Sequence, residues 1–178
     1  WSSDVCSSDL ERPMPPRTQA IHGIGDADLI NAPTAREVLP GFLNYLGDAT
    51  STMIVAHNAS FDAGFLGQEL ARAGHAFPGH RIVDTLALAR RRRPELISHR
   101  LQVLAQILGL EEGPAHRALA DSFLVKSLWL SLDGGSLAEE HLTTYPIHDP
   151  RTRPVAPNGW SILDDAIARN APVRIEYD

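Results

Sequence analysis

Residues 54–66 read IVAHNASFDAGFL. The apolar run MIVA at 53–56 leads into them and stops at a polar pair, His57 and Asn58. So short and continuous a run is what a strand buried on both faces requires. The residues after it follow a helical period. Phe61, Phe65, Leu66, Leu70 and Ala73 fall on one side of a helix spanning about 60–73, and Gly74 stops it. Asp62 sits in the first turn of that helix. In open α/β sheets, ligands bind at such strand-to-helix junctions. A first-turn acid is also accounted for by the helix macrodipole, so Asp62 alone favours the structural explanation.

Outward from this junction, strands and helices alternate. Residues 81–84 read as a second short strand, and 85–92 as a helix that stops before Pro94. Residues 100–108 form a helix with Leu101, Leu104, Ala105 and Leu108 inward and Gly109 at its end. A last long helix covers about 117–132, with Trp129 in the core, and ends at Gly134-Gly135. Upstream, Thr34 caps a helix carrying Val38, Leu39, Phe42, Leu43 and Leu46, with Gly47 as its stop. Pro40 lies inside that pattern and predicts a kink or a later start. Residues 11–34, rich in Pro, Gly and Asp, read as an extended segment or loop. The alternation predicts a layered α/β domain.

The chain has 178 residues, a formal charge of −6 and one cysteine, Cys6. The length suits one domain with a sizeable core. The negative charge argues against binding nucleic acid by bulk electrostatics, but not against meeting phosphates through metals held by carboxylates. One cysteine excludes an internal disulfide. Neither a membrane span nor a signal peptide is read from the sequence, so a cytoplasmic protein with no membrane partner is expected.

Both ends stand apart. WSSDVCSSDL at 1–10 has no periodicity, and its back-translation resembles a sequencing adapter, so it is read as a non-native tail. Residues 11–145 then form the main domain. Residues 146–159, with Pro146, Pro150, Pro154 and Pro157, read as a linker. Residues 160–178 read as the start of a truncated C-terminal domain, with Ser161 capping a helix through Ala168 and a strand at 172–177.

A second chemical stretch is HRALADS at 116–122. His116 lies ahead of the last helix and Asp121 about one turn into it. Five residues is not same-face helical spacing, so the two converge only if His116 reaches across from the loop. On this stretch alone, surface and functional roles stand even.

Taken together, AHNASFDAGFL and HRALADS resemble the second and third motifs of the DEDDh 3′–5′ exonucleases, the proofreading exonuclease family. IHGI at 21–24, VDTLALARR at 83–91 and HRLQVLAQILGL at 99–110 fall in the same order as in that family. The resemblance covers about residues 11–132. It implies a ribonuclease-H-like exonuclease fold, here with its N-terminal strands missing. It implies Asp62 and Asp121 as metal ligands and His116 as general base. It implies two divalent metals, Mg²⁺ or Mn²⁺, which prefer hard carboxylate oxygens. The expected substrates are single-stranded DNA or RNA 3′ ends, released as nucleoside monophosphates, with a DNA polymerase as a candidate partner. His22, Gly23, Ile24, Asn58 and Phe65 are weaker candidates for contacting the terminal nucleotide. For Phe65 a core role is favoured.

The family's first motif, Asp-x-Glu on the first strand, finds no counterpart in this reading. Asp26-Ala27-Asp28 follows IHGI, so the order is wrong, and Asp4 and Asp9 lie in the tail set aside. The expectation is therefore a chain of exonuclease ancestry that is inactive by itself. The alternative is a non-catalytic nucleic-acid or polymerase-binding module. The Arg90–Arg93 run is read as a solvated helix end. The sequence WSILDDAIARNAPVRIEYD at 160–178 resembles the opening of WYL-type domains.

Overall fold

The computed structural model describes residues 13–110, 118–138 and 141–151, and only the backbone of His22. In chain order the elements are α1 (Pro16–His22), α2 (Asp26–Leu29), α3 (Ala35–Leu46), β1 (Ile54–Ala56), α4 (Ala59–Ala73), β2 (Arg81–Asp84), α5 (Thr85–Arg92), α6 (Leu101–Leu108), α7 (Ala118–Ser131), a 3₁₀ turn (Gly134–Ser136) and β3 (Thr144–Pro146). The sheet order is β1-β2-β3. β1 and β2 are parallel, with Ile54 beside Ile82 and Ala56 beside Asp84. β3 runs antiparallel to β2, with Tyr145 beside Ile82. A parallel pair needs a crossover, and α4 supplies it.

α4 packs against all three strands, and α7 also reaches β1. The start of α4 therefore sits at the C-terminal end of β1, where such sheets bind ligands. The apolar interior has two parts. Ala35, Leu39, Ala59, Ala63, Leu70, Ala73, Ile82 and Ile147 join α3 and α4 to the sheet. Leu88, Ala89, Leu104, Leu128 and Leu132 join α5, α6 and α7. Trp129 packs at the margin of the second part, its ring lying where a Cβ on Gly134 would stand.

Several expectations change on the structure. Residues 11–34 are not simply a loop, because α1 and α2 lie there. Pro16 occupies the first turn of α1, where its missing N–H costs nothing, and Gly23 ends the helix at φ 72°. The Asp28 carboxylate accepts the Gly25 N–H at 2.8 Å at the start of α2. These Pro, Gly and Asp residues are helix boundaries.

Pro40 does not delay α3; the helix runs through it from Ala35, behind a Thr34–Glu37 capping box. Pro40 has no N–H for the Arg36 carbonyl. His75 Nε2, 3.5 Å from that carbonyl, stands in the place of the missing donor.

β1, expected to be buried on both faces, is half-buried throughout, whereas Ile82, Val83 and Asp84 of β2 are all buried. Among the described residues β1 pairs only with β2, and no described strand pairs with its other edge. The inward face of α4 also differs. Ala59, Ala63, Gly67, Leu70 and Ala73 are buried, while Phe61 and Phe65 are 61% and 54% exposed, their ring centroids 4.6 Å apart. Small residues let α4 lie close to its neighbours. A Cβ on Gly67 would meet the His148 carbonyl. The core role expected for Phe65 is thus overturned.

Pro146 and Ile147, expected within the linker, are part of the fold: Pro146 closes β3 and Ile147 is buried. The helix, strand and WYL-like stretch expected in 160–178 lie outside the described residues, as does the tail at 1–10.

One buried carboxylate ties the two strand-to-helix junctions together. Asp84 Oδ1 accepts backbone N–H groups from Asn58 (3.0 Å), Ala59 (3.4 Å) and Leu86 (2.9 Å). It thereby caps α5 and fixes the entry to α4. Asn58 sits there at φ 69°, in the left-handed region that Asn tolerates better than most residues. We expect Asp84→Ala to leave these donors without an acceptor in a dry site, at about 3 kcal/mol of stability. Asp84→Asn, which keeps one acceptor oxygen, should cost clearly less. Urea denaturation measures both, and an Asp84→Ala variant as stable as wild type would contradict this role.

Candidate active site

The junctions open onto a cleft of about 1620 Å³. Its lining includes His57, Asn58, Phe61 and Asp62 from the start of α4, and Ala118, Asp121 and Ser122 from the first turns of α7. It also includes Arg90, and Ser98 to Gln102 from the approach to α6. The cleft is larger than the ~300–1,000 Å³ usual for small-molecule pockets. Asp62 and Asp121, 59 positions apart in sequence, thus face one space.

Asp62 is exposed as a residue, yet its carboxyl group sits down in the cleft with protein around it. That burial raises its pKa, its own backbone N–H opposes the rise, and the nearby Asp84 charge adds to it. Asp121 is held by Gln102, whose Nε2 donates to its Oδ1 at 3.2 Å. Two hard oxygen donors facing one space, one of them short of positive charge, fit a divalent cation in kind. The described residues alone fall short of it in number. Among the described residues no three acidic, histidine or cysteine side chains come close enough together to hold a metal.

Behind the acids lies a polar relay that sequence reading did not single out. His57 Nε2 is 2.9 Å from the His99 carbonyl, and Nδ1 is 3.0 Å from Thr85 Oγ1. A carbonyl only accepts, so Nε2 carries the proton. Burial lowers the pKa of the ring against the pull of the His99 carbonyl and of Asp84, which favours the neutral form. Nδ1 is then an acceptor. The single hydroxyl hydrogen of Thr85 is shared between Nδ1 and the Ala56 carbonyl, 3.1 Å away. The relay joins β1, α5 and the approach to α6. In the sequence, its only trace was a polar pair ending an apolar strand.

Of the residues singled out in the sequence, Asp62, Asp121 and Asn58 line the cleft. Gly23, Ile24 and Phe65 do not line it, and His22 closes α1. His116 lies outside the described residues. The arginine run, read as a solvated helix end, divides. Arg90 lines the cleft, Arg91 Nη1 donates to the His141 carbonyl at 2.6 Å, and Arg93 pairs with Glu95 at 2.7 Å.

Comparison with known proteins agrees with this fold. Among solved structures, the fold resembles Exonuclease X in complex with 5′ overhanging duplex DNA, with a TM-score of 0.56 and 28% identity over 74% of each chain. The sequence is 36% identical to DNA polymerase III subunit epsilon of Treponema pallidum over 124 residues, 68% of this chain and 56% of that protein. It is 42% identical to a PolC-type DNA polymerase III of Oceanobacillus iheyensis over 100 residues, 56% of this chain and 7% of that protein. The chain thus spans just over half of one relative and a small part of the other. The sequence model of the RNase_T exonucleases matches residues 4–127. That span begins inside the tail set aside above and includes Asp9-Leu10-Glu11, an Asp-x-Glu tripeptide that the sequence reading passed over. It lies outside the described residues. With its ribonuclease-H-like mixed sheet and a family match over most of its length, the chain belongs to the RNase_T exonuclease family.

Proposed function

We propose that the cleft hydrolyses phosphodiesters at the 3′ end of single-stranded DNA, releasing nucleoside 5′-monophosphates. The observation that carries this reading is the convergence of Asp62 and Asp121, from separate motifs, on one cleft of an exonuclease-family chain. A water oxygen attacks phosphorus, the bond from phosphorus to the 3′ oxygen breaks, and that oxygen takes up a proton. Asp62 and Asp121 would hold divalent metal, Mg²⁺ or Mn²⁺, which when bound supplies charge stabilisation and a more acidic water. Gln102 keeps Asp121 aimed at the cleft. His116, ahead of α7, would receive the proton of the attacking water as general base, a task that suits an imidazole near neutral pH. The likeness to polymerase III subunits supports DNA over RNA and a DNA polymerase as partner.

Among the described residues two carboxylates face the cleft, too few for a two-metal site, and we further propose that residues 1–178 are not competent by themselves. The same shortage favours a second reading, in which this cleft binds a strand without cutting it. Release of mononucleotides from an end-labelled single strand, with Mg²⁺ or Mn²⁺ supplied, separates the two. We expect no metal-dependent release from residues 1–178. Strong release that disappears in Asp9→Asn would instead bring Asp9-Leu10-Glu11 into the site.

In a protein that joins this chain to a family Asp-x-Glu strand, Asp62→Ala and Asp121→Ala should each lower the rate at least ~100-fold, the loss of charge stabilisation at the reacting phosphate. Wild-type rates in either variant would remove that residue from the site. In the same protein the rate should fall as pH drops and His116 takes up a proton. His116→Ala should lose most activity while still binding Mn²⁺. Full activity with an unchanged pH profile would make His116 structural.

A further inference from the structure

We propose that Arg90 and Arg100 form a two-guanidinium clamp that holds backbone phosphates of the bound strand within the cleft. The proposal rests on the reading of the cleft as a nucleic-acid site and goes beyond it by assigning residues to the substrate's charge. Both arginines are exposed and both line the cleft that Asp62 and Asp121 face. They arrive from different places, Arg90 from the last turn of α5 and Arg100 from the N-cap of α6.

Helix stability does not explain them. A cation at a helix N-terminus opposes the macrodipole, and that is where Arg100 stands, with no side-chain cap bond in return. The last turn of α5 does welcome cations, but Arg91 and Arg92 already occupy it. Neighbouring arginines are also committed elsewhere, Arg91 to the His141 carbonyl and Arg93 to Glu95. Among the described residues no hydrogen bond or ion pair engages the guanidinium of Arg90 or of Arg100. Arg90 also lies close enough to His57 to oppose its protonation.

The chemistry of the substrate supplies a fitting partner. A strand entering a cleft with two carboxylates, on a chain of net charge −6, meets repulsion unless cations lie along its path. Guanidinium groups match phosphate oxygens in a planar, two-point geometry. Two of them from separate elements can hold successive phosphates and set the direction in which the strand lies. The contacts read no base, so the clamp is indifferent to sequence.

The test measures binding rather than hydrolysis, with a fluorescein-labelled oligothymidylate, EDTA present, and anisotropy read over a range of salt. In Arg90→Gln/Arg100→Gln, a salt slope of about −0.7 per phosphate predicts a loss of about 1.4 in slope, equivalent to roughly 25-fold weaker binding near 0.1 M salt. Arg90→Lys/Arg100→Lys should recover part of the affinity because it keeps the charge. Arg92→Gln, outside the cleft lining, should bind as wild type. Unchanged thermal melting in all variants shows that folding is not the cause. If wild type binds and the double Gln variant binds equally well, the clamp is overturned and the exonuclease reading stands. An equal loss in Arg92→Gln overturns it too, because the attraction is then diffuse. If wild type binds no strand at all, the clamp falls together with the nucleic-acid reading.

Discussion

A single buried carboxylate, Asp84, holds the architecture of the cleft. Its Oδ1 gathers N–H groups from the entry to α4 and from the first turn of α5, two places that the chain separates by a full crossover. A helix start carries donors with no partner of their own, and here two starts share one acceptor. The position of Asp62 follows from this, because it lies in the first turn of the helix whose entry is fixed. So does the position of Arg90, on the helix that Asp84 caps. The Asp84 charge also raises the pKa of Asp62, so the group that places the site also tunes it.

Charges in the cleft have opposed tasks. Asp62 and Asp121 suit cations, and a phosphodiester is an anion, so the acids by themselves would repel the proposed substrate. Catalysis through charge stabilisation works only where the stabilising groups are set in advance. The proposed site would draw its acids from the starts of α4 and α7 and its cations from the end of α5 and the approach to α6. The His57–Thr85 relay braces these elements without adding net charge, since burial favours the neutral ring.

The parts of this arrangement that depend on local pattern were legible in the sequence. The strand at Ile54, the helix stop at Gly74, the strand at Ile82 and the α6 boundary at Gly109 each rest on a nearby residue with one dominant physical role. The convergence of Asp62 with Asp121 was legible only through family resemblance, because no spacing rule links residues so far apart. Side-chain direction was not legible. Phe61 and Phe65 share a face with spacing as regular as that of Ala59 and Ala63, and periodicity cannot say which face meets the sheet. The arginine run looked uniform, yet neighbouring residues along a helix point apart by about 100°. β3 escaped notice because its three residues end in a proline, which an edge strand tolerates.

Pro40 gives α3 and α4 a fixed longitudinal register. The Arg36 carbonyl, deprived of its own helical donor, is met by His75 beyond the end of α4, and the Arg36 guanidinium reaches the Arg72 carbonyl in the last turn of α4 at 3.4 Å. One residue of α3 is thus anchored at two points to the far end of its neighbour. If either helix slid by a turn, about 5.4 Å, both anchors would be lost and a carbonyl would be stranded. The two contacts therefore set the start of α3 and the end of α4 at one height relative to each other.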